Sequence, residues 1–166
     1  MQNTLMSVER KKKMTQKSKK EYSIEDKLKF PIPYKWKIQS FTKDGKKAQC
    51  VAYIDARDVM DLLDKAVGFG NWEDQYRYEN NQWLCGLTIH LGNGVSRTKW
   101  DTGAAGEFEA EKSSISDSFK RAAVKWGVGR FLYDLKIQWV DIVNKKPVDP
   151  NGNRIYDLTS YFKKEK

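Results

Sequence analysis

Residues 72–101 read WEDQYRYENNQWLCGLTIHLGNGVSRTKWD, and the fold class turns on how this stretch divides. Trp72 to Tyr78, Trp83 to Leu91 and Val95 to Asp101 are strand-like runs, rich in aromatic and β-branched side chains. Asn80-Asn81 and Gly92-Asn93-Gly94 separate them, and these are residue types that accept the positive φ of a tight hairpin. Three strands joined by two tight turns predict an antiparallel meander.

Downstream, Gly103 and Gly106 mark a loop, and a long helix is expected from about Phe108 to Trp126. Ile115, Phe119, Ala122, Ala123 and Trp126 recur at helical spacing, and Gly127 with Gly129 ends the pattern. Upstream, Val59, Leu62, Leu63, Ala66 and Val67 form one helical stripe that closes at Gly68. Asp55 with Asp58 three residues later reads as a carboxylate variant of the capping box that would start this helix. Before it, Tyr34 to Phe41 alternates apolar and polar residues, Lys43-Asp44-Gly45-Lys46 is a turn, and Lys47 to Ile54 returns as a partner strand. Ser23 followed by Asp26 resembles a short helix start, stopped by Pro31 and Pro33. Ile137 to Ile142 is a candidate further strand. The order of β-hairpin, helix, three-stranded antiparallel meander and long helix packed on the sheet predicts an α+β domain.

The chain has 166 residues, 39% hydrophobic and 13% aromatic, enough for one core. Its net charge is +9, and residues 1–20 carry seven basic residues against the single acid Glu9, which is +6 of that total. We therefore read residues 1–20 as a disordered basic arm, 21–145 as the folded domain and 146–166 as a turn-rich extension. Met6 or Met14 could equally start translation without altering the domain. Cys50 and Cys85 fit neither a disulfide framework nor a zinc site, no apolar run approaches the roughly 18 residues of a membrane span, and no secretory signal opens the chain. A soluble, cytoplasmic protein with no membrane partner is expected.

Several chemistries lack their residues. No Gly-rich loop ends in Gly-Lys-Ser/Thr, so a phosphate-cradling ATP site is not predicted. His90 is the only histidine and has no ligand at metal-binding spacing, so it reads as a strand residue. Neither a cofactor nor a structural metal is expected. Asp58, Asp61 and Asp64 lie opposite the apolar stripe and read as a solvated helix face. Asp101, Glu107, Glu109 and Glu111 around the Gly-rich loop support an alternative, a metal-dependent nuclease, because gathered carboxylates hold Mg²⁺ for phosphodiester cleavage.

The stronger pattern is basic and aromatic. Arg97 and Lys99 alternate along the third meander strand and so share a face, while Lys112, Lys120, Arg121 and Lys125 lie off the apolar stripe of the long helix. A single strand of nucleic acid offers phosphates to cations and unstacked bases to rings, so a groove between that helix and the sheet edge suits it. Trp72, Trp83, Trp100 and Trp126 could serve as stacking rings or as core.

Two segments, taken in order, resemble the annealing domain of the Rad52/Rad22 superfamily, particularly its small phage Sak-like members. The first is Ala52-Tyr53-Ile54-Asp55-Ala56-Arg57-Asp58-Val59, continuing through Leu62 and Leu63 to Val67-Gly68-Phe69-Gly70-Asn71-Trp72. The second is Asp117-Ser118-Phe119-Lys120-Arg121-Ala122-Ala123, ending at Trp126-Gly127, and Asp101-Thr102-Gly103 between them is similar to the family's post-meander loop. The resemblance covers about Lys35 to Leu135. It implies ATP-independent binding and annealing of single-stranded DNA in recombination or repair, in a phage or bacterium, by a ring-shaped homo-oligomer and without catalysis. Lys120 and Arg121 are then the principal phosphate contacts and Lys43 a loosely matched one. The family's further basic position falls on Val124 here, and Lys125 beside it points about 100° away around the helix. Tyr34 to Phe41, Phe131 and Tyr133 are candidate ring contacts, and a recombinase or single-strand-binding protein is a candidate partner. A blander reading remains, an RNA-binding or structural module whose basic arm does all the binding.

Overall fold

A computed structural model describes residues 21–104 and 110–164, the side chains of Ala110, Glu111 and Lys164 excepted. The basic arm and the loop residues Glu107 and Glu109 lie outside the described residues.

The meander is present as read. β3 (Trp72–Glu79), β4 (Gln82–Gly92) and β5 (Val95–Thr102) form a three-stranded antiparallel sheet in that order. Asn80 (φ 51°) and Asn81 (φ 60°) make the first turn, and Asn93 (φ 51°) with Gly94 (φ 72°) the second, the left-handed geometry of primed hairpins. Register decides which side chains face inward. Cys85, Leu87 and Ile89 of β4 are fully buried, and the partners of these residues on β5 are Asp101, Lys99 and Arg97. Arg97 and Lys99 therefore do share a face, and it is the face that the helices cover.

Those helices are α2 (Ala56–Val67) and α3 (Ala110–Lys125). Val59, Leu62, Leu63 and Ala66 form the buried stripe of α2, and Phe119, Ala122 and Ala123 that of α3. Together with the β4 residues they make the main core. Phe119 is 1% exposed, and burying such a side chain contributes on the order of 2–3 kcal/mol. Gly103 ends the sheet against α3: a Cβ there would sit 2.0 Å from the backbone oxygen of Ser114, so only glycine allows this approach.

The first sheet is larger than a hairpin. β1 (Lys35–Phe41) and β2 (Lys47–Tyr53) pair antiparallel, and β6 (Gln138–Val143) and β7 (Lys146–Val148) extend them in the order β1-β2-β6-β7. The β6–β7 turn rests on Asn144 (φ 51°) and Lys145 (φ 62°). One face of this sheet packs under the C-terminal helix α4 (Leu158–Lys164), where Ala48, Cys50, Val140, Ile155 and Phe162 form a second, smaller core. Residues 146–164 thus supply a strand and a helix to this sheet.

Capping divides into a success and a correction. At α1 (Ile24–Leu28), Ser23 Oγ accepts from the Asp26 amide at 3.1 Å, and Asp26 Oδ2 accepts from the Ser23 amide at 3.3 Å, a reciprocal capping box. At α2, Asp55 holds the N-cap position but makes no side-chain cap bond, because its carboxylate is drawn to the Lys35 ammonium. Asp64 is likewise no solvated residue: it accepts the Trp72 indole N–H at 2.7 Å.

Candidate nucleic-acid interface

The seam between α3 and β5, where sequence spacing suggested a groove, is closed by its own cations. Lys99 Nζ donates to the Lys125 carbonyl at 2.8 Å and lies 4.4 Å from the Trp126 ring. Arg130 donates to the carbonyls of Val124 and Lys125, both at 2.8 Å. These are among the last acceptors of α3, where the helix end carries a partial negative charge that attracts cations. Asp101, mostly buried, stands between Arg121 at 3.4 Å and Lys125 at 3.6 Å, and Lys125 also donates to the Trp100 carbonyl.

The open groove lies on the other side of α3, between it and the first sheet, with a volume of about 560 Å³. Lys120 and Arg121 form its helical wall, Lys37, Val51 and Tyr53 its sheet floor, and Tyr133, Lys136 and Ile137 its far rim. The sequence puts them there by simple periodicities. Lys37 alternates with Trp36 and Ile38, which pack on the second core, so the lysine takes the opposite face. On α3 the apolar stripe turns inward and leaves Lys120 and Arg121 outward. Lys37 lies 5.1 Å from the Tyr53 ring, and Tyr133 is 72% exposed at the rim. The acid that lines the groove, Asp117, is engaged: its Oδ2 accepts the Ala104 amide at 3.0 Å. Lys37, Lys120, Arg121 and Lys136 surround one space, a local positive potential suited to a chain of phosphates.

The predicted residues therefore separate. Lys120 and Arg121 stand at the groove; Lys125 and Lys99 belong to the seam. Arg97 is exposed further along β5, where it donates to the Ser96 carbonyl at 3.0 Å. Lys112 stands at the other end of α3, in a hollow with Met60 and Tyr76. Lys43 is exposed in the β1–β2 turn. Among the candidate ring contacts, Phe131 packs edge-on against Tyr34 at 5.9 Å and belongs to the core. Of the two tryptophans that sequence left open, Trp126 is half-buried and donates to the Leu87 carbonyl at 3.0 Å, while Trp100 lies over Gly86 under the Arg77 guanidinium at 4.5 Å. Spacing missed Lys37, Tyr53 and Lys136, and the pairing of Lys35 and Lys37 on one strand face was the signal for the first of them.

Over residues 20–151 the sequence matches the Rad52/22 family of double-strand break repair proteins. The chain belongs to the Rad52/22 family. The matched span of this Rad52/22-family chain runs through β7 and includes both walls of the groove; α4 lies beyond it. Two curated relatives are both named single-stranded DNA-binding protein DdrA. The one from Deinococcus deserti is 36% identical over 133 residues, 76% of this chain and 66% of its own length. The one from Deinococcus radiodurans is 34% identical over 122 residues, 71% and 58% respectively. The chain thus spans just under two thirds of the longer-matched relative and less of the other.

Among the described residues of this Rad52/22-family chain, no three His, Cys, Asp or Glu side chains gather as metal ligands, and no helix is long and apolar enough to cross a membrane. Of the carboxylates considered for a nuclease, Asp101 is held by Arg121 and Lys125. Glu107, Glu109 and the Glu111 side chain fall outside the described residues.

Proposed function

We propose that this chain binds single-stranded DNA along the groove between α3 and the first sheet, and that it anneals complementary strands without ATP in recombination or repair. The observation that carries this reading is the convergence of Lys37, Lys120, Arg121 and Lys136 on one open groove. Family membership and the name carried by both DdrA relatives support it. A row of cations grips phosphates of any sequence and leaves base edges free, so a second strand can test its pairing. The protein then supplies charge neutralisation and alignment, and no covalent step is required. The reading extends to a homo-oligomeric ring in the cytoplasm of a bacterium or a phage-infected cell. It also makes the basic arm of residues 1–20 an accessory that raises encounter rate, and leaves a recombinase or single-strand-binding protein as the partner class.

The test is annealing of two complementary labelled oligonucleotides without ATP, with and without Mg²⁺. Three proteins are compared: the full chain, a chain lacking residues 1–20, and the double variant Lys120→Ala/Arg121→Ala. The first two should accelerate pairing, and the double variant should bind single strands roughly 10- to 100-fold more weakly, since charge-assisted contacts contribute about 1–3 kcal/mol. Wild-type binding by a folded double variant removes the groove from the site. Strand cutting on addition of Mg²⁺ returns the carboxylates of residues 101–111 to consideration, and loss of all affinity with the arm makes the arm the binding element.

A further inference from the structure

Six tryptophans occur in the sequence, and five are in contact with another ring or a cation. Trp36 meets Phe162 at 5.1 Å, Trp72 meets Phe119 at 6.1 Å, and Trp83 meets Tyr78 at 5.2 Å. Arg77 covers Trp100 and Lys99 covers Trp126. Trp139 is the exception. It stands on β6 at 52% exposure, and among the described residues no ring or cation stacks on it. About half of this large apolar ring is left in water, where it forgoes the burial its size would otherwise bring.

Its position supplies a use. On β6, Val140 is buried in the second core, so Trp139 points to the opposite face, the one that floors the groove. Its cross-strand partner is Gln49, and the next residue of β2 on that face is Val51, which lines the groove. Ile137, two residues before Trp139, lines the groove rim, so the indole sits about 7 Å beyond that rim along the strand. Lys47 lies diagonal to it on the same face, ion-paired at 3.9 Å to Asp141, the next residue of β6 on that face, and Lys146 stands further along, opposite Val143. A bare flat ring one strand step from a groove lined by Lys37, Lys120, Arg121 and Lys136 matches a ligand that is at once polyanionic and ringed.

We propose that Trp139 is a base-stacking residue, extending the single-strand path from the groove onto the open face of the first sheet. This rests on the single-strand binding proposed above. An apolar protein partner, a second copy of this chain included, would have to desolvate the Lys47–Asp141 ion pair beside the ring.

The experiment compares wild type, Trp139→Ala and Trp139→Phe on oligothymidylate and on an abasic strand of equal length and charge. Stacking is sequence-tolerant and large per base, so Trp139→Ala should bind oligothymidylate about 5- to 100-fold more weakly. It should bind the abasic strand as wild type does, with an unchanged salt slope, and Trp139→Phe should recover most of the loss. A 2-aminopurine placed in the strand should be quenched by wild type and not by Trp139→Ala. Equal losses on both strands, or unchanged affinity on both, overturn the inference while leaving groove binding intact. A Trp139→Ala protein that elutes as a smaller assembly also overturns it and makes the ring a contact between copies. Failure of wild type to bind oligothymidylate defeats the groove reading and this one together.

Discussion

The meander packs against α3 while the first sheet faces it across a groove, and the two sides treat their cations in opposite ways. On the meander side, Lys99, Lys125 and Arg130 are taken up by the last carbonyls of α3, by the Trp100 carbonyl or by Asp101. On the side of the first sheet, Lys37, Lys120 and Lys136 line an open groove with no carboxylate ion-paired to them among the described residues. Sequence counts all of these residues alike, as positive charges near one helix. What distinguishes the two sets is whether the fold has already given the cation a partner, because an engaged ammonium must lose that partner before it can meet a phosphate.

Exchanging the damage between the two sides breaks this comparison most directly. Lys37→Ala with Lys136→Ala should weaken single-strand binding by roughly 10- to 100-fold. The slope of log affinity against log salt should fall by about 1.4, near 0.7 for each phosphate that is no longer neutralised. The melting temperature should hold. Lys99→Ala with Arg130→Ala should do the reverse, leaving affinity within about twofold and lowering stability by roughly 1–3 kcal/mol, because helix-end carbonyls lose charged donors. For a chain of this length that is a fall of about 2–10 °C in melting temperature. Fluorescence anisotropy titrations and thermal melts on the same preparations decide it. If the seam variant loses as much affinity as the groove variant, the division of the two sides is wrong.

The cysteines sharpen the comparison from inside. Each sheet holds one, both free and fully buried: Cys85 in the main core and Cys50 in the smaller one. Burial, then the nearby charge of Asp74, pushes the Cys85 thiol up to about 12; burial alone raises Cys50. The thiolate is the reactive form, so neither should label at pH 8 in the native protein, and labelling should go on rising above pH 9, where an exposed thiol would level off. Under mild urea the smaller core should open first. Cys50 should then label about 10-fold faster than Cys85, read by mass spectrometry of the alkylated peptides. Equal rates would mean that the two cores open as one unit.

How much of this could be read in advance follows the strength of local signals. The meander, α2 and α3 were legible because Asn-Asn, Gly-Asn-Gly and two long apolar stripes are unambiguous, and the α1 box Ser23–Asp26 formed as its letters suggest. β7 and α4 were not. The turn into β7 sets Lys145 beside Asn144 at positive φ, a residue type that gives no turn signal, and a three-residue strand has no period to detect. The site divided likewise. Lys120 and Arg121 stand in a motif, but Lys37 and Tyr53 reach the groove only when the β1–β2 hairpin faces α3, and Lys136 only once β6 has joined β2, a pairing between segments some ninety residues apart. Sequence groups Lys99 and Lys125 with Lys120 and Arg121 because strand alternation and helical spacing report direction and say nothing of the carbonyls and carboxylate that hold these two at the seam.

Asp101 joins the two sides, since it touches Arg121 of the groove wall and Lys125 of the seam from a single side chain. Its Oδ1 also accepts the Thr102 amide at 2.8 Å. An asparagine can keep that last bond while losing the charge, so Asp101→Asn is a selective probe. Two distances near 3.5 Å to partly exposed cations describe modest attractions, and stability should change by less than about 1 kcal/mol. A negative charge within one Debye length of a bound phosphate opposes it, and removing that charge should tighten single-strand binding about two- to fivefold at low salt. The gain should vanish near 1 M salt, where screening shortens to about 3 Å. Weaker binding by Asp101→Asn would instead show that the carboxylate holds Arg121 in the posture that phosphate requires. In that case the seam would be a brace for the groove, and the partners that make a cation look occupied would be what aims its neighbour.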